Sequence, residues 1–203
     1  ILFAFEVISK KVTKAFLISN LIAVSIAFGL IFLLDEKPLF TVTITTWQLK
    51  AIPYFILLGI LAGINSVYLT RCVLFFKSQF SKINIHYYKI LIGSGVLSIS
   101  LFLFPQLYGE GYHAIKTVFD STNEIPLTLT LAFTFFGLLI LKPIVTSITL
   151  ASGGDGDVFA PSLFIGAFLG LLIASILNTF FNACLIPVNF MIIGMAAVLS
   201  ASI

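Results

Sequence analysis

The residues best placed to do chemistry lie in one stretch, Ser152-Gly153-Gly154-Asp155-Gly156-Asp157-Val158-Phe159-Ala160-Pro161. It separates two long apolar segments and is too rich in glycine to be helical itself. The spacing predicts a helix that begins around Val158, with Pro161 inside its first turn, where proline's missing N–H is little loss. The first amides of a helix have no intrahelical partner and carry the positive end of its dipole. An anion placed there meets oriented donors without a full cation to trap it. Non-helical backbone at membrane depth is tolerated only where protein buries it or where it lines a cavity. The plainer alternative is a glycine-rich surface turn, with Asp157 as an ordinary N-cap.

Other reactive side chains form no constellation. His86 and His113 are expected in loops and lack metal-ligand spacing; His86, beside Tyr87-Tyr88-Lys89, reads as an interfacial anchor. Asp155 and Asp157 stand two apart, but no further oxygen ligands follow at calcium-loop spacing. Lys142-Pro143 interrupts an apolar span, and the lysine either snorkels or faces water, or else attracts anions. Glu6 is either a functional carboxylate in or near the membrane or a cap paired with Lys10 four residues on. Cys72 and Cys184 sit in apolar surroundings without CxxC spacing and read as buried, reduced thiols. No Ser/His/Asp set, phosphate loop or HExxH occurs, so no enzymatic role and no cofactor is expected.

The elements that must position these residues follow from composition. Of 203 residues, 60% are hydrophobic and only 9% charged. Soluble domains average roughly 45–50% apolar and about 25% charged, so this chain cannot build a water-facing shell. A disordered chain, a disulfide-stapled module and an ordinary cytosolic enzyme are excluded, which leaves an integral membrane protein. The formal charge of +3 is too small and too scattered for a nucleic-acid surface. The 22 phenylalanines are spread along apolar runs and read as lipid-facing and packing residues.

A spanning helix needs about 20 mostly apolar residues. The candidates are Ala15 to Leu34; Ala51 to Phe76, with Gly59 and Gly63 as a small-residue face; Ile90 to Phe104, which is short; Leu127 to Leu150; Val158 to Phe181; and Phe190 to Ile203. Lys10, Lys11 and Lys14 precede the first span, and Arg71, Lys77, Lys82 and Lys89 lie around the next connection but one. Positive-inside counting puts these stretches in the cytoplasm and the acid-bearing connections at 35–50 and 105–126 outside. The chain opens without Met or a basic n-region and stops inside an apolar run, so it reads as an internal piece of a longer membrane protein.

Three motifs resemble one family in order and spacing. GGDGDVFAPSLFIGAFLG is similar to the signature of CLC chloride channels and proton/chloride antiporters, in which G-x-F-x-P opens a helix at a central anion site. The opening ILFAFEV resembles that family's I-L-F-x-x-E helix end, and IIGMAAVLSASI resembles its G-M-A/G-A-x-x-A-A helix. The resemblance implies an all-α, polytopic membrane protein with broken intramembrane helices, residues 1–203 being part of a single transmembrane domain truncated at both ends. It implies chloride passage, a homodimer with Ala15 to Leu34 at its interface, and no cofactor beyond the transported chloride. The bilayer, with the bacterial inner (plasma) membrane expected, is the other partner.

Carried over by position, Val158 and Phe159 present amides to the anion, Gly156, Ala160 and Pro161 complete the signature, and Asp157 stands where it has glycine. A carboxylate there either caps the helix, is protonated, or weakens the site, and capping of Phe159 or Ala160 is the favoured account. After Glu6, the antiporters usually have a proton-relaying glutamate. Val7 stands there instead, which leans toward channel-like passage, with a proton-coupled antiporter using a different proton route as the alternative.

Overall fold

The computed structural model describes residues 14–34, 48–121 and 129–202. Every regular element among them is helical: α1 (Lys14–Leu33), a 3-10 turn (Leu49–Ala51), α2 (Ile52–Ser81), α3 (His86–Leu103), a second 3-10 turn (Pro105–Leu107), α4 (Tyr112–Ser121), α5 (Leu129–Ala151), α6 (Phe159–Phe181) and α7 (Pro187–Ser202). Glu6, Val7, Lys10 and Lys11, with the acid-bearing segment around Asp35 and Glu36, lie outside the described residues.

Among the described residues four helices are long and apolar enough to cross a membrane: Leu49–Ser81, His86–Leu103, Leu131–Ala151 and Phe159–Phe181. At ~1.5 Å per residue, a helix of the length of α6 covers a hydrocarbon core of about 30 Å. The α1 helix, taken by itself, exposes apolar side chains all along its length, including Ile18, Phe28 and Phe32, as a helix facing lipid or other protein does.

In the remainder, α6 is the centre. Nearly all of it from Ala160 to Ala174 is buried, by α7, α5, α2 and the short α4. Phe164 and Phe168 stack at 4.5 Å, Phe135 of α5 meets Phe168 at 5.5 Å, and Phe55 of α2 meets Phe190 of α7 at 4.7 Å. In a bilayer such burial contributes little by itself, because lipid tails are as apolar as Leu; close packing has to hold the helices together.

That packing is tightest where α6 and α7 run antiparallel. A methyl group added at Gly166 would strike the Gly194 carbonyl, one at Gly170 the Phe190 carbonyl, and one at Gly194 the Gly166 carbonyl. The two backbones therefore touch. The Ser162 and Ser202 hydroxyls pair at 2.9 Å near the open end of this hairpin. At its closed end, Asn182 takes a left-handed conformation, and the Asn178 amide group both donates to the Leu185 carbonyl (2.8 Å) and accepts from the Leu185 N–H (2.7 Å). Cys184 sits in this linker, exposed and left-handed, so the expectation of a buried thiol is corrected: the turn pushes it outward.

Four further readings need revision. The third span is a helix of 18 residues that starts at His86, taking in Tyr87, Tyr88 and Lys89 ahead of the apolar run. His86 thus opens a helix and His113 lies within α4; neither is in a loop. The connection after α3 carries a helix of its own, the amphipathic α4. Pro143 does not break the fourth span: α5 continues through it, and Ser147 donates to the Pro143 carbonyl at 2.6 Å. Packed neighbours make the missing ladder bond tolerable. Gly59 and Gly63 have no described residue within 4 Å of an added methyl, so that face stays open to another helix, while α6 and α7 carry a small-residue contact of their own.

Accordingly, Gly170→Leu is expected to cost at least about 3 kcal/mol, since the obstacle is backbone that cannot step aside. Gly59→Ala is expected to stay within about 0.5 kcal/mol. Thermal unfolding of the purified protein in detergent checks both.

Candidate functional site

The break between α5 and α6 begins with a helix ending of a familiar kind. The Gly154 N–H donates to the Thr149 carbonyl at 2.9 Å and the Gly153 N–H to the Leu150 carbonyl at 3.4 Å, with Gly153 at φ +98°. This is a Schellman motif, and it needs a residue that accepts a left-handed backbone. Glycine at 153 therefore stops α5 at a defined point.

That point lies beside α3, well inside its length. Ser152 packs directly on Gly93, the eighth residue of α3, leaving no room for a side chain there. At ~1.5 Å per residue this is roughly 10 Å from the start of α3. One residue on, a methyl group on Gly153 would lie 3.1 Å from the His86 ring. The break thus runs alongside a helix long enough to span the membrane. On this chain Gly153 to Asp157 are exposed, and burial resumes at Ala160.

At the start of α6, Val158 already has helical dihedrals (φ −101°, ψ −3°), which makes Asp157 the effective capping residue. Asp157 Oδ1 accepts the Phe159 N–H at 3.1 Å and the Ala160 N–H at 3.4 Å. The Val158 carbonyl accepts both the N–H (3.1 Å) and the hydroxyl (2.6 Å) of Ser162. A carboxylate oxygen thus occupies the donors at the positive end of a 23-residue helix, the arrangement that charge-assisted hydrogen bonding favours.

Gly156, Asp157, Ala160 and Pro161 line one cleft of about 780 Å³, whereas Val158 and Phe159 do not contribute to its wall. Opposite them stand Leu97 and Leu101 of α3, the loop residues Tyr108 to Glu110, and Lys142 of α5. Lys142 is only 3% exposed, so it neither snorkels nor faces bulk water. Its Nζ donates to the carbonyls of Leu107 (3.2 Å) and Gly109 (2.9 Å) and lies 4.9 Å from the centre of the Phe164 ring. One buried cation thus ties the loop after α3 to the flank of α6.

The electrostatics of the cleft are mixed. Glu110, Asp155 and Asp157 bring three carboxylates against the single ammonium of Lys142. Tyr112, at the start of α4, has its phenol pushed above the ordinary range, first by burial and then by the charges of Glu110 and Asp157. Side chains alone therefore do not make this a well for anions. Sequence reasoning missed Glu110, Tyr112 and the clamp made by Lys142. The glycines at 109 and 111 around Glu110 were the available signal, but they mark a turn without saying what it faces. Glu6 and Val7 lie outside the described residues.

With this geometry in hand, comparison with known proteins is informative. The family described as "Voltage gated chloride channel" matches residues 1–203, the whole chain. A ClcB-like protein of Ralstonia nicotianae is 33% identical over 109 residues, 53% of this chain and 23% of its own. An H(+)/Cl(-) exchange transporter ClcA of Vibrio vulnificus is 28% identical over 162 residues, 77% of this chain and 33% of its own. An uncharacterized protein of Methanocaldococcus jannaschii is 28% identical over 189 residues, 92% of this chain and 45% of its own. The chain thus spans less than half the length of these relatives. No solved structure matches it. The signature stretch, the all-helical build with its break beside α3, and a match running from the first residue to the last make this chain an integral membrane protein of the voltage-gated chloride channel family.

Proposed function

We propose that the protein passes chloride across a membrane, and that the anion is met by the amides at the start of α6. The observation that carries this reading is Asp157. Its Oδ1 sits 3.1 Å from the Phe159 N–H and 3.4 Å from the Ala160 N–H, so these donors already hold an anionic oxygen. A halide takes the place of that oxygen and is solvated by backbone dipoles, which replace part of its hydration shell without binding it irrevocably. Val158 and Phe159 supply amides, Gly156 lets the backbone approach, and Ala160 with Pro161 set the first turn.

Passage is channel-like in this reading, because Val7 cannot carry a proton. The second reading, a proton-coupled exchanger with another proton route, is favoured by the exchange transporters among the relatives. A homodimer in the bacterial inner membrane, with α1 at the subunit interface, completes the proposal.

Chloride efflux from liposomes holding the intact protein tests the core of it. Efflux above that of empty liposomes is expected, and its absence would sink the reading. In the same vesicles, the reversal potential at a fixed chloride gradient is expected not to move with an imposed pH gradient; a shift selects the exchanger.

Lys142 holds the cleft's wall by its two carbonyl contacts. Lys142→Met leaves both carbonyls without that donor, and a loss of about 1–3 kcal/mol in stability is expected, read by thermal unfolding in detergent. Lys142→Arg, which keeps charge and donors, is expected to recover part of it.

A further inference from the structure

The corner where α2 turns into α3 carries a charge imbalance that the cleft does not use. No Asp or Glu occurs between residues 38 and 109, whereas Arg71, Lys77, Lys82 and Lys89 gather towards this corner. Arg71, Lys77 and Lys82 are exposed, and Lys89 is half-buried. Lys82 follows the last residue of α2, and its Nζ donates to the uncharged Gln79 Oε1 at 3.1 Å. The acids of the break, Asp155 and Asp157, line the cleft with Lys142.

Between its charges the corner is apolar. Ile85, Tyr87 and Tyr88 are each more than half exposed. A soluble acidic partner would have to cover these side chains. The boundary between headgroups and acyl chains accepts both kinds at once, since aromatic rings settle there while lysines reach the phosphates. The depth agrees. The span Leu49–Ser81 is about 50 Å long at ~1.5 Å per residue, against a hydrocarbon core of about 30 Å, so its ends reach the headgroup layers even when it tilts.

We propose that the α2–α3 corner is a binding site for anionic phospholipid headgroups, and that a bound lipid steadies the break between α5 and α6. Each basic residue close to an anionic leaflet strengthens binding about fivefold, and salt screens the attraction beyond about 10 Å. The route from corner to break is short. His86, the first residue of α3, stands against Gly153, where an added methyl would lie 3.1 Å from its ring. About two turns further along α3, Gly93 seats Ser152, the residue just before it. A headgroup that holds the first turn of α3 in place therefore holds the surface on which α5 ends.

The experiment uses the intact protein in a neutral detergent. Native mass spectrometry follows retention of phosphatidylglycerol and of phosphatidylcholine with the same acyl chains, and hydrogen exchange follows the amides of residues 153–157 with each lipid. The variants are Lys77→Gln with Lys82→Gln, Lys89→Gln alone, and Lys50→Gln, which removes an exposed lysine at the other end of the same span. Phosphatidylglycerol is expected to be held at least about tenfold more tightly than phosphatidylcholine. The double variant is expected to lose about tenfold of that, Lys89→Gln about fivefold and Lys50→Gln nothing. Exchange at 153–157 is expected to slow with phosphatidylglycerol in the parent and in Lys50→Gln, but not in the double variant. Equal retention of the two lipids overturns the site and leaves the lysines to a soluble acidic partner. Undiminished retention by both the double variant and Lys89→Gln, or an equal loss in Lys50→Gln, overturns it as well. Displacement of the lipid by millimolar inorganic phosphate shows a free-anion site and overturns the choice of lipid. Tight lipid binding without slower exchange overturns the link to the break. None of these readouts needs chloride to move, so failure here and failure of the proposed function are separate results.

Discussion

A helix that begins part-way along its neighbour has to have its first amides met by some acceptor. Water does this where no side chain reaches them. The start of α6 answers that constraint with the Asp157 carboxylate on the N–H groups of Phe159 and Ala160. Most other features of the structure serve to keep this helix end where it is. Gly153 ends α5 in a left-handed turn, Ser152 seats that ending on Gly93, and the break that follows carries the chain to the new helix start.

The remainder of α6 is held by contacts that leave little slack. Backbone-to-backbone approach at Gly166, Gly170 and Gly194 fixes the register of α6 against α7, because no side chain can shift to accommodate a slip. The aromatic ladder of Phe135, Phe164 and Phe168 fixes it against α5. Lys142 links the two systems, since its ammonium rests on the Phe164 ring while holding the carbonyls of Leu107 and Gly109. The cleft in front of the helix start is in this way bounded by parts that are themselves braced.

Individual residues show how far reading the chain reaches. The break at Ser152 to Asp157 and the helix start near Val158 were legible, because glycine density and a proline three residues into a helix are local signals with local causes. The capping of Phe159 and Ala160 was legible for the same reason: it involves atoms two and three residues away. Lys142 was visible only as an anomaly in an apolar run. Its partners lie 33 and 35 residues earlier in the chain, and no periodicity encodes a contact at that separation. Gly59 and Gly63 were picked out as a contact face in place of Gly166, Gly170 and Gly194, because spacing alone cannot say which small-residue stripe meets a neighbour within the same chain.

Composition and local pattern were thus sufficient for the class of molecule, its apolar spans and the place where its helices break, since each of these is decided by solvent preference or by backbone sterics over a few residues. The extent of α3, the passage of α5 through Pro143, the outward turn of Cys184 and the joining of Glu110 and Lys142 around one cleft were decided only when the helices packed. Those outcomes depend on which backbone groups find partners across the fold, and a partner far away in the chain leaves no mark in the residues nearby.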